Sequence, residues 1–572
     1  MRGALRTLTI MAAAFGAAVA LFVGFTLPPR HVDLAGPRPS GSLYGAFHVH
    51  TARSDGTGSV ADVAAAAARA RLDFVILTDH GDATRPPLPP AYIDDVLIVD
   101  AVEVSTFDGH LVALRLDEAA PYPLAGRARD VVEDVHRLGG LVVLSHPDSP
   151  RGELQWRGRG VAYDGFEWLN ADSQWRDDPP RRLLAAALRG LVRGPESVVS
   201  LFTREQRAFA RWDGGPGAGS ERRPFGVAAL DAHARIGWDA EGAEPPRRWT
   251  FFARPSYELM FRSLAQVVLL DDSPSGDAAE DAARLLEAFA SGRTYSITRA
   301  IAGPAVLEFS ALQGGDAVRM GERLLPGPAS FRAAVPGVPN ARVRLIRNGA
   351  VVAQADGEVT SDQVVTPDSV FRVEVDLGDH PFPWIVSNPI FAMTGAEAVA
   401  EMPLAVATAP ERLQLLEDHE AWRIERDTSS TGTVTAHEEP GTVQWHFELG
   451  SGVPSGQFVA LSVPVEGDAG YESVQFDVRA SRPMRLSFQV RLPGSPEGQR
   501  WGTSVYLDQQ ERRVVVRLED LEPIGRTSSL RPVVARIRSL LFVMDTVNTA
   551  PGSAGDVWLR QVSLGLGPAG QQ

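Results

Sequence analysis

The chain contains no cysteine, and lysine is absent as well, so all 56 of its basic side chains are arginines. Together these absences remove disulfides, thiolate zinc sites, cysteine nucleophiles, lipid-modified cysteine and lysine Schiff bases. Any metal must then be held by nitrogen and oxygen donors, which suits zinc, manganese or iron. Basic charge is also outweighed: 71 Asp and Glu leave a net charge of -15 over 572 residues. A general nucleic-acid binder needs a basic face that releases counterions, and this balance argues against one. No Gly-x-Ser-x-Gly elbow is present to support a Ser-His-Asp hydrolase. Heptads, solenoid periods and long low-complexity tracts are missing too.

Long apolar runs are scarce, and one stands out. After Arg2 and Arg6, the stretch from Leu8 to Leu27 is uncharged and about the length a helix needs to cross a bilayer. The positive flank predicts that the amino end stays in the cytoplasm and the remainder is exported, to the periplasm or the cell exterior. Ala18-Val19-Ala20 offers a small-residue cleavage site, yet cutting there would leave Leu21-Phe22-Val23-Gly24-Phe25 as an exposed apolar terminus. Residues 1–27 therefore read as a signal anchor that tethers the chain to a membrane, with a cleaved signal peptide and a secreted protein as the alternative. Residues 28–42, rich in Pro and Gly, read as a linker.

From 43 to about 300, strands and helices alternate, the mark of a parallel α/β sheet or barrel. Ser59 is placed to cap an alanine-rich helix with Asp62 as its partner, and further helices are expected at 127–138 and 277–291. An arginine-rich, helical insertion with a glycine-rich loop, about 176–224, is expected near the mouth of the barrel. Residues 301–400 turn to strands around an Asn348-Gly349 hairpin and read as a small β-sandwich. Residues 411–570 carry about eight alternating strands and read as a β jelly roll.

Four apolar runs in the first half end in histidines and acids: Phe47-His48-Val49-His50, Leu77-Thr78-Asp79-His80, Leu144-Ser145-His146 and Leu230-Asp231-Ala232-His233. Strands that deliver imidazole and carboxylate at their C-terminal ends are how parallel sheets and barrels build active sites. His48 and His50 are two apart, so on a strand they share a face and can bind one ion. Asp55 in Ser54-Asp55-Gly56, together with Glu103 and His110, completes nine candidate ligands: His48, His50, Asp55, His80, Glu103, His110, His146, Asp231 and His233. Six of the chain's 12 histidines are in that set.

On these motifs the chain resembles the polymerase and histidinol phosphatase (PHP) metal-dependent hydrolases. Phe166-Glu167-Trp168-Leu169-Asn170 and Trp384-Ile385-Val386-Ser387-Asn388-Pro389-Ile390 make it most similar to the carbaryl-hydrolase-like branch. The resemblance implies a distorted (β/α)7 barrel with two or three divalent ions. His48, His50, Glu103 and Asp231 would hold one; Glu103 would bridge to a second on His110 and His146; Asp55, His80 and His233 would hold a third. The activity implied is hydrolysis by a water that the ions activate, of a phosphoester or small-molecule substrate first, or of an ester, carbamate or amide. Arg53, Arg85 and Arg235 lie beside the motifs and can pair an anionic substrate, as Asn170 can line the mouth, although each also has an ordinary structural reading. Trp445, Trp501, Tyr506 and Trp558 either stack on a glycan or fill the C-terminal core. A reading of another class makes the chain a non-catalytic, glycan-binding surface protein.

Overall fold

The structure is a computed structural model that describes residues 2–34, 41–176, 178–204, 206–213, 223–240, 247–252, 255–393, 412–415, 419–436, 441–452, 456–468, 470–494 and 498–566. The glycine-rich end of the expected insertion, residues 214–222, lies outside them. The fold is mixed α/β with many sheets. It opens on α1 (Arg2–Thr26), an apolar helix long enough to cross a membrane, with none of its apolar window covered by protein.

The chain divides into two compact units, residues 1–118 with 127–401, and residues 119–126 with 402–572. In the first, one sheet is built on β1 (Ser42–Val49), β2 (Phe74–Leu77) and β3 (Val96–Asp100), which run parallel. Between β1 and β2, α2 (Val60–Arg69) starts where Ser59 and Asp62 exchange hydrogen bonds as a capping box. A second sheet contains β4 (Val102–Thr106), β5 (Gly109–Leu114), β6 (Leu141–Leu144), β7 (Gly165–Asn170) and β8 (Phe225–Ala229). Only β6, β7 and β8 are parallel there, with α3 (Ala128–Arg137) preceding β6. β4 and β5 are joined by the tight turn Thr106–Gly109, which can connect only antiparallel strands, so the alternation expected over this stretch is replaced by a hairpin.

The sheets meet at both ends. Leu230 N–H donates to Phe47 O (2.9 Å) and His50 N–H to Ala232 O (3.1 Å), while Glu103 N–H donates to Asp79 O (3.2 Å) and Gly81 N–H to Glu103 O (3.1 Å). Phe47, Ile76, Val112, Val143, Val227 and Phe289 are buried in one cluster beneath them. The hydrophobic effect thus fixes a rigid strand bed, and the polar strand ends ride on it.

After β8 come α4 (Tyr257–Ser263), β9 (Ala265–Leu269), α5 (Ala278–Ala290) and β10 (Thr294–Ile297). β9 pairs with β1 and with β10. β10 then pairs with Ile385–Ser387, which pairs with Val370–Leu377. The boundary expected at residue 300 therefore does not separate one compact unit from another, because this ladder carries the strands at 341–356, 370–377, 385–387 and 390–392 into the same sheet as β1. Asn388 strengthens the join: its amide donates to Gly226 O (3.1 Å) and Thr294 O (2.9 Å), and its Oδ1 accepts from Gly226 N–H (2.7 Å). The Asn348-Gly349 hairpin forms as expected, both residues at positive φ (47° and 81°).

The expected insertion folds as helices at Pro180–Gly190, Gly194–Val199 and Gln206–Asp213. Its first two helices reach the chain that leaves α1: Arg189 Nη1 donates to Thr26 O (3.3 Å), Arg193 to Pro28 O, and His31 N–H to Glu196 Oε1 (3.3 Å). Glu196 also lines a cavity with Tyr44 and Asp73, at the start of β1 and before β2, whereas the histidines lie at the far ends of those strands. The expectation that this whole segment sits at the site mouth is corrected accordingly.

The second unit is an antiparallel sandwich of two six-stranded sheets. The strands expected over residues 411–570 fall in its ladders, which also take in strands at Arg412–Leu415, Arg423–Arg426, Thr431–Ala436 and Glu522–Ile524. Asn548 donates to Pro123 O and Ala125 O (3.0 Å each), which ties residues 119–126 into this unit.

Candidate metal centre

The nine candidate ligands converge. His48 and His50 do not meet by strand alternation. β1 ends at Val49, its register against β2 shifts between Ala46 and Val49, and His48 has φ 66°. The bulge turns both imidazoles onto one point, with Nε2 atoms 3.0 Å apart. His146 (φ 32°) and Asp231 (φ 49°) also lie in the left-handed region. Non-glycine residues there cost of order 1–3 kcal/mol each, and such strain collects at functional sites.

Around that point the separations are His48 Nε2–Glu103 Oε2 3.2 Å, His50 Nε2–Glu103 Oε2 3.3 Å, His48 Nε2–Asp231 Oδ1 3.4 Å and His50 Nε2–Asp231 Oδ1 3.2 Å. Donors about 2.05 Å from a tetrahedral ion would be about 3.3 Å apart; His48, His50 and Glu103 form a cluster able to hold one ion, with Asp231 close to both imidazoles. The tautomers fit as well. Glu167 Oε1 takes His48 Nδ1–H at 2.5 Å, and Asp55 Oδ1 lies 3.3 Å from His50 Nδ1. Each imidazole then presents the lone pair of its Nε2 to the same point.

Glu103 faces two ways. Its Oε2 meets His48, His50 and His80 Nδ1 (3.2 Å), while its Oε1 meets His110 Nδ1 (3.1 Å) and His146 Nε2 (3.0 Å). A third grouping gathers Asp55, His233 and His80: Asp55 Oδ2–His233 Nε2 is 3.0 Å, and Asp55 Oδ1–His80 Nε2 is 3.9 Å. His80 lies nearer to Glu103 than to Asp55, so it adjoins two groupings where one was expected. Among the described residues three clusters able to hold a metal ion follow: His50, Asp55, His80 and His233; His48, His50 and Glu103; His80, Glu103 and His110.

Electrostatics show what the buried acids demand. Burial by itself would lower the pKa of His48, but Glu167, Asp231 and Glu103 outweigh it and raise it well above the usual imidazole value. His50 is similarly opposed by burial, yet its hydrogen bonds to Asp231 and Glu103 push it up to about 10. Burial would raise Glu103 and Asp231, but the histidines hold both carboxyls well below their usual range. His80, the most exposed ligand at 36 %, is lowered, chiefly by desolvation. A nest of carboxylates needs positive charge, supplied by protons when nothing else brings it.

The substrate candidates fare differently. Arg53 is spent on Asp100, its two Nη atoms donating at 2.6 and 2.9 Å. Asn170 is a positioning residue: its amide donates to Glu167 Oε2 (2.8 Å) and Asp231 Oδ2 (3.2 Å), and its Oδ1 caps Ser173 N–H (2.9 Å). Both substrate expectations are thus corrected, since these polar groups are already committed. Arg235 Nη2 lies 3.5 Å from Asp55 Oδ2. Arg85 is exposed and lines a cavity of about 130 Å³ with His80, Asp82 and Asp100.

Sequence reasoning undervalued three supports. Glu167 holds His48 and also accepts His146 N–H at 2.6 Å. Tyr257 OH donates to His50 O (2.8 Å) and accepts Gly58 N–H (3.2 Å). Asp79 accepts from Thr51 N–H (2.8 Å), Thr51 Oγ1 (2.7 Å) and Ser54 Oγ (2.6 Å), which fixes the turn that carries Asp55. The Glu-x-x-Asn spacing of 167 and 170 was the available signal for the first.

No protein-family model matches the chain, and no curated protein matches it. Among solved structures it is similar to the family 11 carbohydrate-binding module of cellulosomal cellulase Lic26A-Cel5E of Clostridium thermocellum, at 13% identity over 28% of this chain and 98% of that one, TM-score 0.23. It is also similar to an agarase, AgWH50C, at 12% identity over 27% and 25% of the two chains, TM-score 0.20. Likeness to TmCBM61 in complex with β-1,4-galactotriose runs to 15% identity, 26% and 90% coverage and TM-score 0.17.

Proposed function

We propose that this chain is a metal-dependent hydrolase of the PHP type, with phosphoester hydrolysis the first choice and ester, carbamate or amide cleavage the alternative. The observation that carries the reading is Glu103, whose two oxygens each face a separate set of imidazoles, the arrangement of a carboxylate shared between two ions. We read β1, β2, the bent pair β3–β4, β5, β6, β7 and β8 as the seven strands of a distorted barrel. The hydrogen bonds that join the two sheets support this.

Bound zinc, manganese or iron would supply Lewis acidity, bringing the pKa of a water toward neutrality and drawing charge from a substrate oxygen. The protein's role is positional. Glu167 locks His48, Asn170 locks Asp231 and Glu167, and Tyr257 with Asp79 holds the turn from His50 to Asp55. Access is from the side of His80 and His110, the least buried of the ligands with Asp55 and His233. Arg85, on that side, is left to pair an anionic substrate. We read α1 as a signal anchor and the site as extracytoplasmic.

Glycan binding has little to draw on. Trp445 and Trp501 are wholly buried, and half-buried Tyr506 and Trp558 each carry a guanidinium over one face, from Arg512 and Arg479.

Metal analysis of the purified chain tests the proposal. Two or three ions per chain, with turnover on a panel of phosphomonoester, phosphodiester and aryl ester that His48→Ala abolishes, is the expected outcome. A chain that stays empty after supplementation with zinc, manganese and iron would overturn it.

A further inference from the structure

The helix Pro180–Gly190, with its continuation to Arg193, carries aliphatic side chains that the described protein leaves mostly uncovered. Leu184, Leu191 and Val192 are 62%, 83% and 63% exposed, and Ala187 and Leu188 lie between them. Positions 184, 187, 188, 191 and 192 follow the three-and-four spacing of a single helix face, whereas Ala186, off that face, is buried. Three exposed aliphatics on one short segment exceed the scattered singles of an ordinary surface.

The place of this face says what it meets. Arg189 donates to Thr26 O and Arg193 to Pro28 O, so the helix is tied to the last turn of α1 and the first residues beyond it. At 1.5 Å per residue the 25 residues of α1 extend about 37 Å, against about 30 Å of hydrocarbon, which puts Thr26 at headgroup level. The segment bonded there lies at the same level. Arg182 is held by Asp178 (2.5 Å) and Ser200 O (2.9 Å), and Arg181 is exposed, so guanidiniums flank the apolar stripe. Aliphatics on one face with arginines beside them are the composition of a helix lying in a membrane interface.

We infer that the segment Pro180–Arg193 is a membrane-surface element: Leu184, Leu191 and Val192 enter the phospholipid interface beside the exit of α1, and so set the orientation of the catalytic unit on the bilayer. A tether alone would leave that unit free to tumble; a second contact fixed to the end of the spanning helix restrains it. The inference rests on the reading of α1 as a membrane-spanning anchor and not on the proposed activity.

The absence of cysteine makes the test clean. Full-length chains carrying Leu191→Cys, Leu184→Cys or the control Val364→Cys, a site 66% exposed on a β-strand of the same unit, are labelled with an environment-sensitive fluorophore and reconstituted sparsely into phosphatidylethanolamine–phosphatidylglycerol vesicles. The expected result is a blue-shifted emission at 184 and 191 and several-fold weaker quenching by aqueous iodide than at 364. Adding Val192→Glu to the Leu191→Cys chain should restore quenching, while intact far-UV circular dichroism and bound metal report that it has folded. Quenching at 184 and 191 equal to that at 364 overturns the inference. So does shielding that disappears when the chains are diluted to one per vesicle, which would assign the face to a second copy.

Discussion

The strand ends of the first unit and the core of the C-terminal sandwich both come from apolar strands, yet they put that pattern to opposite uses. In the sandwich, period-two alternation is kept over long ladders, and the inward residues Trp445, Phe476, Phe488, Trp501 and Phe542 fill one core. At His48, His146 and Asp231 the backbone turns to positive φ, the ladder stops and polar side chains are driven inward to meet one another. The first solution maximises burial and is locally regular. The second gives up local regularity for a buried cluster in which imidazoles and carboxylates face one another.

Substitutions can break this contrast. The largest effect is expected from Glu103→Gln, which removes a carboxylate facing five imidazoles: at most one ion should remain by metal analysis, and turnover should fall about 10³-fold or more, since the ions carry several kcal/mol of transition-state stabilisation. Trp501→Ala should do the reverse, costing the sandwich about 3–5 kcal/mol in denaturant unfolding and leaving metal content unchanged. If that variant lost its metal, the two regions would not be independent. Glu167→Gln keeps the shape but weakens the hold on His48, and about a 10–100-fold loss of metal affinity is expected by competition with a chelator.

The smallest effect is in pH. His50, raised to about 10 in the metal-free protein by Asp231 and Glu103 against the pull of burial, stabilises the fold when protonated. That contribution is complete below the unfolded value of about 6.5 and is lost as pH climbs through 10, so the metal-free Tm should fall between pH 7 and 10. Saturating metal, which takes the place of the proton, should flatten that slope. A metal-free Tm that rises over this range would refute the charge balance assigned to the cluster.

Much of the site could be read from sequence because it is built from residue types that have few other reasons to end apolar runs. His48, His50, His80, His146 and Asp231 announce themselves in that way. Glu167 and Asn170 did not, because a polar pair at the end of a strand is equally suited to capping, and Asn170 does cap Ser173 as well as hold Asp231. Arg53 looked available because its partner, Asp100, stands 47 positions away.

The sequence by itself determined the chemistry that is possible: a chain without cysteine or lysine offers only imidazole and carboxylate to an ion, and apolar strands ending in those groups direct them to a common end. Only the tertiary structure decided which groups share a point, that a bulge at His48 rather than strand alternation brings the first pair together, that the strands at 341–356, 370–377, 385–387 and 390–392 belong to the sheet of β1, and that an arginine-rich helix sits at the exit of α1. The physical reason is the range of the interaction. Residue type and period act within a few positions, whereas Glu103 meets His146 across 43 residues and Asn388 holds Gly226 across 162, contacts that exist only once the chain has closed.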